Sequence, residues 1–201
     1  MTIIGITGPS GAGKGICCEY LSSLGISCID TDAVYHELIS APSPCVQELA
    51  TAFGKEIVDK RGAIDRKALA AIVFSDSSHQ KTRLLNQITH KYVRIETLRL
   101  LDTYKNRGDK AVAIDAPLLF EANFDDLCDF CIAVIASRAL RLSRIMTRDG
   151  LSKERANARL DAQKADDYYT SRSKYTIMND SDKENTLDQL KFIFATEGLI
   201  S

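Results

Sequence analysis

The sequence predicts an α/β fold of three layers: a parallel sheet between helices, with a helical lobe inserted into it and a helical lid. Three observations carry that expectation. Ile3 to Thr7 is a short, apolar, β-rich run that ends in a glycine-rich turn, the pattern of a buried strand. A helix from Lys14 to Ser23 and a second short strand from Ile26 to Ile29 follow, and that order makes a βαβ unit with parallel strands. The next strand-like run comes only at Ala111 to Ile114, and helical patterning fills the interval.

Within that interval, Ala33 to Ile39 reads as a helix that stops before Ala41-Pro42-Ser43-Pro44, and Val46 to Phe53 reads as another. Asp65 is placed to cap a helix from Arg66 to Phe74. From His79 to Tyr104, apolar Leu84, Leu85, Ile88, Tyr92, Ile95 and Leu98 recur at helical spacing, as one long helix or two joined ones. After Ala111 to Ile114, a strand is expected through Ile132 to Ile135. Ser137 should cap a helix running to Arg148 and stopping at Asp149-Gly150, and Ser152 a further helix to about Lys164. Tyr175 to Met178 is the last strand, and Leu187, Leu190, Ile193 and Phe194 mark a final helix. The expected single domain of 201 residues thus has a core of about 1–32, 108–136 and 174–201, a helical lobe of about 33–107 and a lid of about 137–170.

The 26 basic and 27 acidic residues leave a net charge of −1. That supplies no basic excess for a general nucleic-acid or membrane-surface role. No run has the length of a bilayer span, and Met1 to Thr7 lacks the basic flank of a signal peptide. A cytoplasmic location is expected. A core of this size needs no staples, so Cys17, Cys18, Cys28, Cys45, Cys128 and Cys131 are expected as buried, reduced thiols. Cys128 and Cys131 form a CxxC, but residues three apart in a strand face opposite sides, a poor start for a shared metal or disulfide.

Gly8-Pro9-Ser10-Gly11-Ala12-Gly13-Lys14-Gly15 lies between a strand and a helix. It satisfies Gly-x-x-x-x-Gly-Lys, the phosphate-binding loop of P-loop NTPases. Glycines let the backbone curl so that successive N–H groups point at phosphate oxygens. The helix adds its positive end, and Lys14 supplies a mobile cation. The residue after the lysine normally carries a magnesium-binding hydroxyl. Here it is Gly15, followed by Ile16, and neither has one. Two readings stay open: magnesium held by ATP oxygens, water and a carboxylate, or reduced activity.

Ligands of this fold sit beyond the carboxyl ends of the strands, where Asp30-Thr31-Asp32 and Asp115 fall. One carboxylate there could orient or deprotonate an attacking hydroxyl, and another could hold Mg²⁺. The plain alternative is capping, which suits Asp30 as well as chemistry does. Asp32 is the stronger catalytic candidate, and Asp115 a metal candidate. Arg141, Arg144 and Arg148 share a helical face, and arginine bridges phosphate oxygens. Spacing alone nevertheless favours a solvated charged face.

The chain resembles the dephospho-coenzyme A kinase family over nearly its whole length. The resemblance begins with Gly5-Ile-Thr-Gly8 and the loop, and continues through Leu24-Gly-Ile-Ser-Cys-Ile-Asp-Thr-Asp32, Phe53-Gly54, Ile64-Asp-Arg-Lys-Ala-Leu69, Val73-Phe74-Ser75 and Leu85-Asn-Gln-Ile-Thr-His90. Lys91 stands where that family often has proline. Pro117-Leu-Leu-Phe-Glu121, Arg144-Ile-Met-Thr-Arg148-Asp149, Arg159 to Gln163 and Ile177-Met-Asn179 complete it.

The resemblance implies a kinase that uses ATP and Mg²⁺ to phosphorylate the ribose 3′-hydroxyl of dephospho-coenzyme A. It implies a nucleotide-binding core, a lobe gripping the coenzyme A precursor, and a lid. By it Asp32 activates or orients the hydroxyl, while Lys14 and Arg148 stabilise the moving phosphoryl group, with Arg144 a weaker candidate. Gly8, Ser10, Gly11, Ala12, Gly13, Lys14, Gly15, Ile16 and Asn179 would contact ATP. Asp32, Pro117, Leu118, Leu119 and Glu121 would border the acceptor. His90 reads as structural. The expected partners are these small molecules, with no nucleic acid or membrane, for a monomer or weak homo-oligomer. Two alternatives remain: a kinase for a nucleoside monophosphate, and a degenerate protein that binds nucleotide without turning it over.

Overall fold

A computed structural model of the protein describes residues 1–76 and 78–200. Its described strands are β1 (Thr2–Thr7), β2 (Ser27–Asp30), β3 (Ala111–Asp115), β4 (Phe130–Ile135) and β5 (Tyr175–Met178), in the sheet order β2-β3-β1-β4-β5. β1 runs parallel to both β3 and β4, and β4 parallel to β5. Crossover connections join the parallel strands: α1 (Gly15–Ser23) between β1 and β2, α2 (Thr31–Ile39), α3 (Pro44–Phe53), α4 (Arg66–Phe74) and α5 (Gln80–Arg107) between β2 and β3, a 3₁₀ turn at Asp125–Leu127 between β3 and β4, and α6 (Arg138–Asp149), α7 (Lys153–Asp161) and α8 (Asp166–Thr170) between β4 and β5. After β5 comes α9 (Lys183–Thr196). The parallel sheet with flanking helices is the predicted fold class.

The chain divides into two compact units, Met1–Ile29 with Tyr104–Ser201, and Asp30–Thr103. The first is built on the sheet. All six residues of β4 are buried, as a strand covered on both faces demands. Ile4, Ile6, Ala113, Ile132, Val134 and Ile177 pack with Cys17 and Leu21 of α1 and with Leu190, Ile193 and Phe194 of α9. Phe194 is fully buried, its ring stacked on Tyr20 at 5.9 Å. A satellite cluster of Ile145, Ala156 and Leu160 joins α6 to α7.

The second unit has its own core of Ile39, Val46, Leu49, Phe53, Ile57, Ile64, Leu69, Val73 and Ile88. Three of its helices, α2, α3 and α4, are capped by local side chains. Asp30 accepts from the N–H groups of Asp32 and Ala33, Ser43 from that of Val46, and Asp65 from those of Lys67 and Ala68. Each satisfies donors that a helix start leaves without a partner.

Several local expectations need correction. Among the described residues the hydroxyl of Ser137 caps no helical N–H; instead the Ser137 N–H donates to Asp180 Oδ1 at 2.5 Å. The helix expected to reach Lys164 ends at Asp161, and a separate short α8 follows. Of the two forms left open for 79–104, a single helix forms, and it runs on to Arg107. The CxxC thiols do not face opposite ways. Cys128 precedes β4, at the end of a 3₁₀ turn, so strand alternation does not apply to it. A Cβ added to Gly5 would lie 2.9 Å from Cys131 Sγ and 3.0 Å from Cys128 Sγ, so both thiols converge on that glycine. Among the described residues all six cysteines are free thiols, and burial pushes the Cys17 thiol up to about 12.

Phe194→Ala should destabilise the protein by about 3–5 kcal/mol, the cost of a buried aromatic truncated in a core that collapses incompletely. Chemical denaturation followed by circular dichroism measures it.

Candidate active site

The phosphate loop occupies residues 8–14, between the end of β1 and the start of α1. Its glycines are forced by close approach. Gly8 has φ +143°, and a Cβ there would lie 2.1 Å from the carbonyl oxygen of Val134 in the neighbouring strand. Gly13 has φ +95°, and a Cβ would stand 2.2 Å from Asn179 Nδ2. No L side chain fits either position, on backbone and on space. Gly15 differs: nothing lies within 4 Å of a Cβ built there.

A loop that turns its N–H groups outward turns its carbonyls inward, and buried carbonyls need donors. Here each consecutive carbonyl has one. Gly8 O accepts from Lys14 Nζ at 3.2 Å and Pro9 O from the Ala12 N–H at 3.2 Å. Ser10 O accepts from Arg141 Nε at 3.2 Å. Gly11 O and Ala12 O both accept from Arg144 Nη1 at 3.2 Å, and Ala12 O accepts also from Asn179 Nδ2 at 2.7 Å. Gly13 O and Lys14 O accept from the N–H groups of Ile16 and Cys17, which open α1. The N–H groups of Lys14 and Gly15 precede those first helical bonds and sit at the positive end of the helix dipole.

This places the expected ATP residues. Gly8 through Lys14 form the loop itself, Gly15 opens α1, and Ile16 lies in its first turn. Asn179, 1% exposed, does not offer its amide to a base. Its Nδ2 holds Ala12, its Oδ1 accepts from Thr186 Oγ1 at 3.0 Å, and its backbone O accepts from Arg144 Nη2 at 3.1 Å. Arg144 likewise donates to three backbone carbonyls, so its fork is turned into the protein. Arg141, 7% exposed, is not on a solvated face: Nη1 donates to Asp166 Oδ1 at 3.1 Å and Nη2 to Gln163 Oε1 at 2.9 Å. Gln163 Oε1 also accepts the Ser10 N–H at 2.9 Å. Sequence spacing could not reveal the braces that reach the loop, because they join residues 131 to 167 positions apart.

Arg148 is the exposed member of the series. It donates to both carboxylate oxygens of Asp149, at 2.7 and 2.9 Å, and Arg159 reaches the same carboxylate at 2.7 Å. The Arg148 fork holds the Asp149 carboxyl below its usual range, and Arg159 adds to it. Asp115 ends β3 opposite Ile6, at the strand end from which the loop departs, and its Oδ2 accepts from the Cys18 thiol at 3.6 Å. Within Pro117–Glu121, Leu119 is a fully buried core residue while Leu118 and Glu121 are exposed. In the second unit, Asp30 Oδ1 caps α2, and Asp32 in the first turn is exposed. The cap therefore falls to Asp30 and leaves the Asp32 carboxylate to the surface.

The family model described as "Dephospho-CoA kinase" matches residues 2–185. The chain belongs to the dephospho-CoA kinase family. A dephospho-CoA kinase from Moorella thermoacetica is 38% identical over 187 residues, covering 92% of this chain and 87% of its own. Among solved structures, a Thermus thermophilus protein superposes with a TM-score of 0.77 at 32% identity, covering 97% of each chain. The dephospho-CoA kinase from Campylobacter jejuni superposes with a TM-score of 0.71 at 26% identity, covering 98% of each.

Asn179→Asp should weaken ATP binding and lower the melting temperature. It places a carboxylate oxygen against Ala12 O in place of a donor, costing about 1–3 kcal/mol or more for the charged group. Calorimetric titration with ATP and thermal melts check both effects.

Proposed function

We propose that the chain transfers the γ-phosphoryl group of ATP to the ribose 3′-hydroxyl of dephospho-coenzyme A, giving coenzyme A and ADP. The observation that carries this reading is a fully braced phosphate loop in a chain of this family. The loop amides, the N-terminus of α1 and Lys14 bind and orient the phosphates, and Lys14 offsets charge on the transferred group. Asp32 orients the acceptor hydroxyl and takes up its proton as the new O–P bond forms. A strong base is not needed, because the transition state is loose and positioning dominates.

Arg148, freed from Asp149, adds a second cation to the transferring group. Leu118 and Glu121 supply the exposed part of the acceptor border, and Pro117 fixes the backbone between Ala116 and them. Arg144 and Asn179 serve ATP indirectly, through the loop.

Mg²⁺ fits the chemistry as a companion of the nucleotide. In this reading magnesium is held chiefly by phosphate oxygens and water. Asp115 is the carboxylate proposed to steady it, and bound magnesium supplies charge neutralisation at the phosphates. Among the described residues no helix is long and apolar enough to cross a membrane. The reading is of an enzyme that acts in the cytoplasm on small-molecule substrates, as a monomer or weak homo-oligomer.

The absent hydroxyl at Gly15 favours one rival, a protein that binds nucleotide without turnover. A coupled ADP-release assay with ATP, Mg²⁺ and dephospho-coenzyme A decides between them. Acceptor-dependent ADP release is expected, falling about 10²–10⁴-fold in Asp32→Asn and about 10²–10³-fold in Lys14→Ala. Release that ignores the acceptor, or none from a chain that binds ATP, would sink the kinase reading. Activity with nucleoside monophosphates in its place would redirect it.

Gly15→Ser should fold normally, since the space for its side chain is open. It should lower the Mg²⁺ concentration for half-maximal activity by about tenfold, on the scale of a gained metal contact. A magnesium titration of both proteins measures it.

A further inference from the structure

From the hydrogen bonds that meet at Ser10, we infer that Arg141 is a positioning residue for nucleotide binding: it clamps the crown of the phosphate loop to the lid. The inference rests on the reading of residues 8–15 as the ATP site. Ser10 has both backbone groups held by lid side chains, its N–H by Gln163 Oε1 and its C=O by Arg141 Nε. Arg141 closes the ring by donating Nη2 to the same Gln163 oxygen, and it anchors outward through Nη1 to Asp166. The three side chains come from α6, from the segment between α7 and α8, and from the first turn of α8. One loop residue is therefore tied to three successive lid segments.

A planar guanidinium suits this place because its donors point in fixed directions at three different acceptors. Burial makes the arrangement demanding, since a charge with so little exposure needs all its partners. Arg141 meets the loop at its carbonyl side, bonded to Ser10 O, while the N–H groups of Ser10 and Ala12 are taken by Gln163 Oε1 and Pro9 O. It acts on the nucleotide through the shape of the loop and is not a catalytic residue.

The consequence is a preorganised loop. If removal of the clamp leaves the loop in its binding-competent shape about one tenth of the time, the apparent affinity for ATP falls about tenfold. Turnover at saturating ATP stays near the original value, because bound nucleotide restores the shape. The coupling is reciprocal: nucleotide on the loop steadies the segment from Gln163 to α8.

The test compares Arg141→Met, Gln163→Leu and the double variant with the unaltered chain. Expected are a KM for ATP raised about tenfold in each single variant, kcat within about twofold, and an unchanged KM for dephospho-coenzyme A. The double variant should be no worse than about either single one, since both break one network. A Kd for ATP, titrated without acceptor, should rise in step. Hydrogen exchange over 163–170 should slow on ATP addition in the unaltered chain and not in Arg141→Met.

Loss of folded protein alone would lower kcat and leave KM unchanged, so that pattern overturns the inference. So does an unchanged Kd for ATP in the folded variants, or effects that multiply in the double variant. Where Arg141→Met fails to fold, Gln163→Leu carries the test, because it removes no charge. An unaltered chain that binds ATP but never phosphorylates the acceptor would defeat the proposed function and leave the clamp to be judged on Kd.

Discussion

The constraint on which the site depends is that a peptide cannot point its N–H groups one way without pointing its carbonyls the other. A phosphate loop uses the first half of that geometry, and the protein around it must satisfy the second. Here the donors to Ser10, Gly11 and Ala12 are side chains from distant segments: Arg141, Arg144 and Asn179. The two arginines lie on α6, and Asn179 directly follows β5, whose register with β4 fixes its place. The parallel sheet thus does more than carry the loop at the end of β1. Through β4 it sets the wall that excludes a side chain at Gly8, and through β5 it delivers the amide under Gly13.

The same economy explains the division of the acidic pair. Asp30 and Asp32 stand two residues apart at the end of β2, and sequence alone gives both a claim to chemistry. Helix physics separates them. A helix start needs a side-chain acceptor one residue before the first turn, Asp30 occupies that place, and Asp32 is left exposed in the turn itself. Two carboxylates two residues apart are therefore held differently: Asp30 by the N–H groups it caps, Asp32 exposed in the first turn.

Much of the fold was legible because its signals are local. The β-rich run before Gly8, the cap at Asp65 and the alternation of strand and helix each lie within a few residues. The exact bounds Arg66–Phe74 and Tyr175–Met178 follow from such signals. What escaped was set by partners far along the chain. Ser137 looked like a cap, but its backbone is engaged by Asp180. Cys128 falls at the entry of its strand, where a 3₁₀ turn and not strand alternation sets its direction. Within the site, the loop was evident from its glycines, whereas the arginines of α6 were visible only as a charged stripe. Spacing shows which residues share a face and says nothing of what that face meets. Arg141 and Arg144 meet loop carbonyls; Arg148, one turn on, meets Asp149.

The order of these contacts along the chain has a bearing on biosynthesis. The loop leaves the ribosome within the first fifteen residues, but the side chains that hold the carbonyls of Ser10, Gly11 and Ala12 lie beyond residue 140, and Asn179 is the last of them. A nascent chain carries the nucleotide-binding sequence through most of translation without the means to hold it in shape. The bracing of the loop is completed late, together with the closing of the sheet by β5.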